Sequence, residues 1–207
     1  MTESDGIASR WGSPPAVSRI EPRRPGRAGP TRSLPLVQED HSCIECGLSY
    51  PQLTIEAAAE IIRSLPAAVR AAVSQVPADT LRRRPRLETW SALEYICHLR
   101  DVYITSTIRL HRARTEDRPA LEPMLNDLRA RRFRYNERAL DGVLDELAAC
   151  VTGVGEEINR LRPSDWERTV TRLPGEQRTA QWLLRQAAHE GQHHLQDIRD
   201  CLNAPAS

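Results

Sequence analysis

The sequence predicts an all-α protein, a bundle of four or five helices behind a disordered N-terminal extension. Three observations carry this reading. From about residue 52 almost to the end, apolar residues recur at helical spacing. Helix-start signals stand at Thr54, Ser91, Asp141 and Thr179. No stretch alternates polar and apolar residues for long enough to require a sheet. The 207 residues suit one domain plus a tail.

The elements follow in order. Residues 1–40 are rich in Pro, Gly, Ser and Arg, and Pro14, Pro15, Pro25 and Pro30 deny them a helix or a central strand. They are expected to be a disordered extension. Residues 41–52 hold a Cys-x-x-Cys segment, and residues 53–203 hold the helices. Thr54 caps a first run through Ile55, Ala59, Ile62 and Leu65, which Pro66 is expected to interrupt and restart. Ser91 and Glu94 form a capping box opening a long helix to about Arg114. A third helix is expected over 122–139. Asp141 caps a fourth, whose stripe is Val143, Leu144, Leu147, Val151, Val154, Ile158 and Leu161, and Pro163 ends it. Residues 163–178 read as a short helical turn and a loop. Thr179 caps the last helix, to about Leu202.

Composition narrows the function classes. Net charge is +1, so nothing points to nucleic acid or an anionic lipid surface. No apolar run approaches the roughly 18 residues of a membrane span. The first sixteen residues lack the apolar core of a signal peptide, so a cytoplasmic location is expected. Five Cys in a reducing compartment make a disulfide framework unexpected. All 29 basic residues are Arg, which suggests a GC-rich bacterial genome.

The histidines carry the chemistry. His189 and His193 are four residues apart on the last helix, which stacks two imidazoles one turn apart on one face. His98 lies on another helix among Leu93, Ile96, Cys97, Leu99 and Val102. A single histidine there is commonly a hydrogen-bonded core residue. Beside the pair it becomes the third ligand of a divalent-metal site built from His98, His189 and His193. His194 projects about 100° from His193 and is the alternative to it. Glu94, Asp101 and Asp197 stand about one turn from these histidines and suit the orienting carboxylates that ligand imidazoles use, or equally solvated helix charges. Zinc is the expected metal, with nickel, iron and manganese as alternatives, because imidazole suits several metals and ligand type alone does not choose among them.

A second motif is His41-Ser42-Cys43-Ile44-Glu45-Cys46-Gly47. Cys43 and Cys46 make a zinc half-site, and His41 is a candidate third ligand. No second Cys-x-x-Cys supplies the rest, so a structural metal, thiol redox chemistry and a plain ordered turn all stay open. His189-Glu190-x-x-His193 also fits the zinc-protease spacing, with Glu190 as general base. A helical bundle lacks the strand that aligns a peptide for that chemistry.

Taken together, three pieces resemble the DinB-like superfamily of metalloenzymes. They are Trp90-Ser91-x-x-Glu94-x-x-x-His98-Leu-x-Asp101, then Leu161-x-Pro-x-Asp165-Trp166, and then Trp182-Leu-x(5)-His189-Glu-x-x-His193-His194-Leu-x-Asp197. The resemblance covers about residues 53–203. It implies a four-helix bundle of up-down-down-up course, homodimers in many members, and a metal held by His98, His189 and His193. It further implies metal-dependent transfer of a low-molecular-weight thiol, such as bacillithiol or mycothiol, to an electrophilic small molecule. The alternatives are a hydrolase at the same site, with Glu190 or Asp197 as base, and a non-catalytic metal-binding protein. Arg100 and Arg185 are candidate holders of an acidic thiol. The resemblance assigns no role to Cys43 and Cys46.

Overall fold

Thr54, Ser91 and Thr179 each turn the chain into a long helix by the local chemistry their sequence promises. In the computed structural model, which describes residues 35–205, Thr54 accepts a hydrogen bond from the Ala57 amide and opens α1 (Ile55–Val73). A short α2 (Ala78–Arg82) follows. Ser91 and Glu94 complete their reciprocal capping box at the start of α3 (Ala92–Thr115). After α4 (Asn126–Arg132) comes α5 (Leu140–Arg160), with Ala139 rather than Asp141 at its N-cap. Thr179 accepts from the Trp182 amide to open α6 (Ala180–Asn203).

The four long helices form a bundle. Helix α3 packs mainly on α5 and α6, and α1 on the same two, so α1 and α3 lie across the core from each other. Ile62, Leu65, Leu99, Leu147 and Leu184 fill the centre, each at most 2% exposed. Burying each such side chain contributes about 1.5–3 kcal/mol. Of the expected α5 stripe, Val143, Leu144, Leu147, Val151 and Val154 are buried, while Ile158 and Leu161, the C-cap, are half-buried at the helix end.

Several elements differ from expectation. Pro66 sits inside an unbroken α1. Its ring costs one backbone hydrogen bond, and the burial of Ile62, Leu65, Val69 and Val73 on either side keeps the helix continuous. The helix expected over 122–139 is only α4 and a 3-10 turn at Tyr135–Glu137. Leu125 and Arg134, at φ 51° and 50°, break the chain on either side of α4. Arg129 and Tyr135 are both drawn to Asp101 of α3, so tertiary hydrogen bonds override the local helical pattern. Residues 163–178 contain the expected turn (Pro163–Glu167) and also a hairpin of β1 (Thr169–Thr171) and β2 (Gln177–Thr179). Thr169 pairs with Thr179 and Thr171 with Gln177. Three-residue strands are too short to show a period in sequence.

The expected disorder over residues 1–34 lies outside the described residues. Residues 35–40 are ordered. Arg178 donates to the carbonyls of Leu36 and Val37 at 2.8 and 2.7 Å, and the Trp182 indole donates to that of Gln38 at 3.2 Å. Glu39 accepts from the Thr179 amide at 2.7 Å. Polar side chains of β2 and α6 thus satisfy a backbone that forms no ladder of its own. Residues 41–50 turn back in a tight loop, with Ser42 bridged to Ser49 and the Gly47 amide donating to the Cys43 carbonyl at 2.9 Å. Gly47 has φ +73°, which favours glycine there. No helix among the described residues is long and apolar enough to cross a membrane.

Candidate metal centre

Helix α6 carries two pairs of potential ligands, offset by one residue. His189 and His193 form one stripe, and Glu190 and His194 form the next, about 100° round the helix. Because α6 is wedged between α1 and α3, the two stripes meet different neighbours.

The Glu190 and His194 stripe meets His98 of α3. Glu190 Oε2 lies 3.3 Å from His98 Nε2 and 3.1 Å from His194 Nε2. All three donor atoms fall within 4.8 Å of one another. His98 is 2% exposed, with Trp90 edge-on at 5.1 Å. Asp197, one turn beyond His193, accepts from His194 Nδ1 at 2.7 Å and directs Nε2 toward Glu190 and His98. The Glu190 side chain is 26% exposed, so the cluster opens to solvent on that side. A pocket of about 380 Å³ adjoins Asp197, lined also by Arg86, Tyr95 and Cys201.

The electrostatics suit a cation. Burial by itself would raise the pKa of Glu190, but hydrogen bonds from His194 and His98 outweigh it and hold the carboxyl well below its usual range. Burial would lower the pKa of His194, but its bonds to Asp197 and Glu190 carry it up to about 9. Without a metal these bonds favour the protonated ring, held between the two carboxylates. A divalent ion would replace the proton on Nε2. Two imidazoles and one carboxylate with an open side are a donor set used by catalytic zinc and by non-haem iron, so the residues fit a metal.

The His189 and His193 stripe meets residues 41–50. His193 Nδ1 lies 3.6 Å from Cys43 Sγ. Cys43 Sγ, Cys46 Sγ and one nitrogen from each histidine fall within 4.8 Å of one another. Burial pushes His189 down to about 4, so its ring is neutral at pH 7.

The structure thus redistributes the sequence-derived ligands. His98, His189 and His193 do not form one cluster: His98 joins Glu190 and His194, while His189 and His193 turn to Cys43 and Cys46. The physical reason is helical phase, since only one of the two stripes can face α3. His41 is not among the clustered donor atoms; its ring packs 5.3 Å from both Tyr50 and His189. Of the three orienting carboxylates, Asp197 alone contacts a clustered histidine. Glu94 is taken by Arg84 and the α3 cap. Asp101 is taken by Arg100, Arg129 and Tyr135. Arg100 is held by Asp101 and Glu146, and Arg185 by the Leu53 carbonyl. Glu190 points away from the His189 and His193 pair, unlike the base of a zinc protease. His194, the alternative to His193, is the one that joins His98; the ligand missed was Glu190, whose signal in sequence was its place four residues before His194.

Comparison with known proteins agrees with this architecture. The DinB superfamily profile matches residues 61–198. No curated protein matches the chain. Among solved structures the chain is similar to YfiT from Bacillus subtilis, described as a probable metal-dependent hydrolase with an unusual four-helix bundle topology. The TM-score is 0.67 at 19% identity, covering 72% of this chain and 86% of that one. The likeness concerns the fold.

Proposed function

This chain belongs to the DinB superfamily, and from that premise we propose that it is a metal-dependent enzyme whose centre is His98, Glu190 and His194. The observation that carries the reading is the convergence of His98 Nε2, His194 Nε2 and Glu190 Oε2, with Asp197 fixing the His194 tautomer. A divalent ion there, zinc first, supplies Lewis acidity that lowers the pKa of a coordinated water or thiol.

We favour a low-molecular-weight thiol, such as mycothiol, transferred to an electrophilic small molecule. The support lies in where the carboxylates are. Attack by a coordinated water is assisted by a free base within hydrogen-bond reach. Both carboxylates considered for that role are engaged, Glu190 within the donor set and Asp197 on His194 Nδ1. A thiol depends less on such a base, because it is more acidic than water and a coordinating thiol is deprotonated outright. The protein's part is then to orient the reactants. The pocket beside Asp197 offers Arg86 and the Tyr95 ring to a small polar molecule.

Hydrolysis is the second reading. It is favoured by the donor set, since two histidines and a glutamate also hold hydrolytic zinc, and by the description of YfiT.

The test is turnover of electrophilic and ester substrates by untagged protein loaded with zinc, nickel or manganese, with and without added mycothiol or bacillithiol. Thiol-dependent turnover that disappears in His98→Ala plus His194→Ala is the expected result. Turnover of esters without thiol moves the assignment to hydrolase. A wild-type protein that binds no metal through these three residues ends the enzyme reading.

A further inference from the structure

We propose that Cys43, Cys46, His189 and His193 form a second, closed metal site, a Cys2His2 zinc centre that clamps residues 41–50 onto α6. It uses none of the ligands of the His98 centre, and its role is structural.

The donor set is complete. Four protein ligands, two thiols and two imidazoles, fall within 4.8 Å of one another. Structural zinc takes four such ligands and leaves no open position. With Zn–S near 2.3 Å and Zn–N near 2.0–2.1 Å, a sulfur and a nitrogen on one tetrahedron stand about 3.6 Å apart. The Cys43 Sγ to His193 Nδ1 distance is 3.6 Å.

Each imidazole has its other nitrogen occupied. His189 Nδ1 pairs with the Tyr50 hydroxyl at 3.2 Å, and His193 Nε2 with Glu45 Oε2 at 3.3 Å. This arrangement presents one free lone pair per ring to a metal. His189 Nε2 is buried with no hydrogen-bond partner. A buried, unsatisfied nitrogen is costly, and a zinc ion beside the two sulfurs would satisfy it.

The loop is shaped for the purpose. The left-handed Gly47 and the hydrogen bond its amide donates to the Cys43 carbonyl fold the segment so that both sulfurs reach the histidines. Gln192 donates to the Cys46 carbonyl at 3.0 Å, fixing the loop to α6 between the two histidines. Ligands from segments about 145 residues apart in sequence are thereby joined, and the rotation of α6 that aims Glu190 and His194 at His98 is fixed.

The test uses full-length, untagged, metal-free protein titrated with Co²⁺. Expected are a thiolate-to-cobalt charge-transfer band in the near ultraviolet and the intense visible bands of four-coordinate cobalt. Both should persist in His98→Ala plus His194→Ala. Both should be lost in Cys43→Ser plus Cys46→Ser, and the visible bands altered in His189→Ala plus His193→Ala. No thiolate band in folded wild type, or a spectrum indifferent to His189 and His193, overturns the proposal. Because the cysteine variant can fail to fold, X-ray absorption of zinc bound to the His98→Ala, His194→Ala variant provides a second decision. Two sulfur and two nitrogen neighbours support the site, and a shell without sulfur overturns it. Loss of turnover in that variant with the thiolate band intact would separate the two centres.

Discussion

His193 and His194 are consecutive residues whose rings, 5.4 Å apart and nearly perpendicular, serve different clusters. His193 Nδ1 faces the Cys43 sulfur, while His194 Nε2 faces Glu190 and His98. The step of about 100° between consecutive helical residues aims the two rings at different neighbours, while Asp197 stays within reach of both. It also makes single substitutions informative, because adjacent positions should give opposite results.

Asp197→Asn should weaken metal binding at the His98 centre without unfolding the protein. The carboxylate accepts from His194 Nδ1 at 2.7 Å, and loss of such an orienting partner typically costs about 10–100-fold in affinity. Competition with a fluorescent chelator measures it. Unchanged affinity would mean that Asp197 does not set the His194 tautomer.

Glu190→Gln should reduce affinity for a divalent ion at the same centre by at least as much as Asp197→Asn, because it removes the one anionic ligand of the donor set. It should leave the cobalt–thiolate spectrum of the other cluster intact. Equal loss at both clusters would show that Glu190 acts through folding.

Gly191→Ala should destabilise the protein. A Cβ at 191 would collide with the Tyr103 hydroxyl and press on the Leu65 side chain. Tyr103 is fully buried and donates to the Ala187 carbonyl, so it cannot swing aside freely. Overpacking costs about 1–3 kcal/mol, against a gain of about 1 kcal/mol in helix propensity. Thermal melting should show a net fall, and a higher melting temperature would contradict the close approach of α6 to α3.

Acid should unfold the protein partly through Asp101. Burial would raise its pKa, but hydrogen bonds from Tyr135, Arg129 and Arg100 outweigh that and hold it below the ordinary value. A carboxyl with a depressed folded pKa contributes stability that is present above its unfolded pKa, about 4, and is lost as pH falls through the folded value. Melting temperature should therefore drop below about pH 4. Asp101→Asn should be less stable at pH 7 by about 1–3 kcal/mol and lose less on acidification. Parallel pH profiles for the two proteins would rule Asp101 out as a contributor.

Much of the fold is legible in the sequence because it is written in local chemistry. Thr54, Ser91 and Thr179 start helices through contacts within three residues of themselves, and the α5 stripe buries from Val143 to Val154 as its spacing requires. Where an element depends on distant partners the sequence misleads. Arg129 and Tyr135 are pulled from a continuous helix by Asp101, and Arg178 and Trp182 order a segment whose composition suggests disorder.

For the candidate centre, the sequence by itself determined the residue types: His98 on one helix, four consecutive-phase ligands on α6, and a Cys-x-x-Cys half-site. It could not sort them, because spacing fixes which side chains share a stripe but not which stripe faces which neighbour. That depends on the rotation of α6 about its own axis. Packing set that rotation through Gly191 against Tyr103 and through the anchoring of residues 35–50 on α6. The tertiary structure therefore paired Glu190 and His194 with His98, and His189 and His193 with the two cysteines.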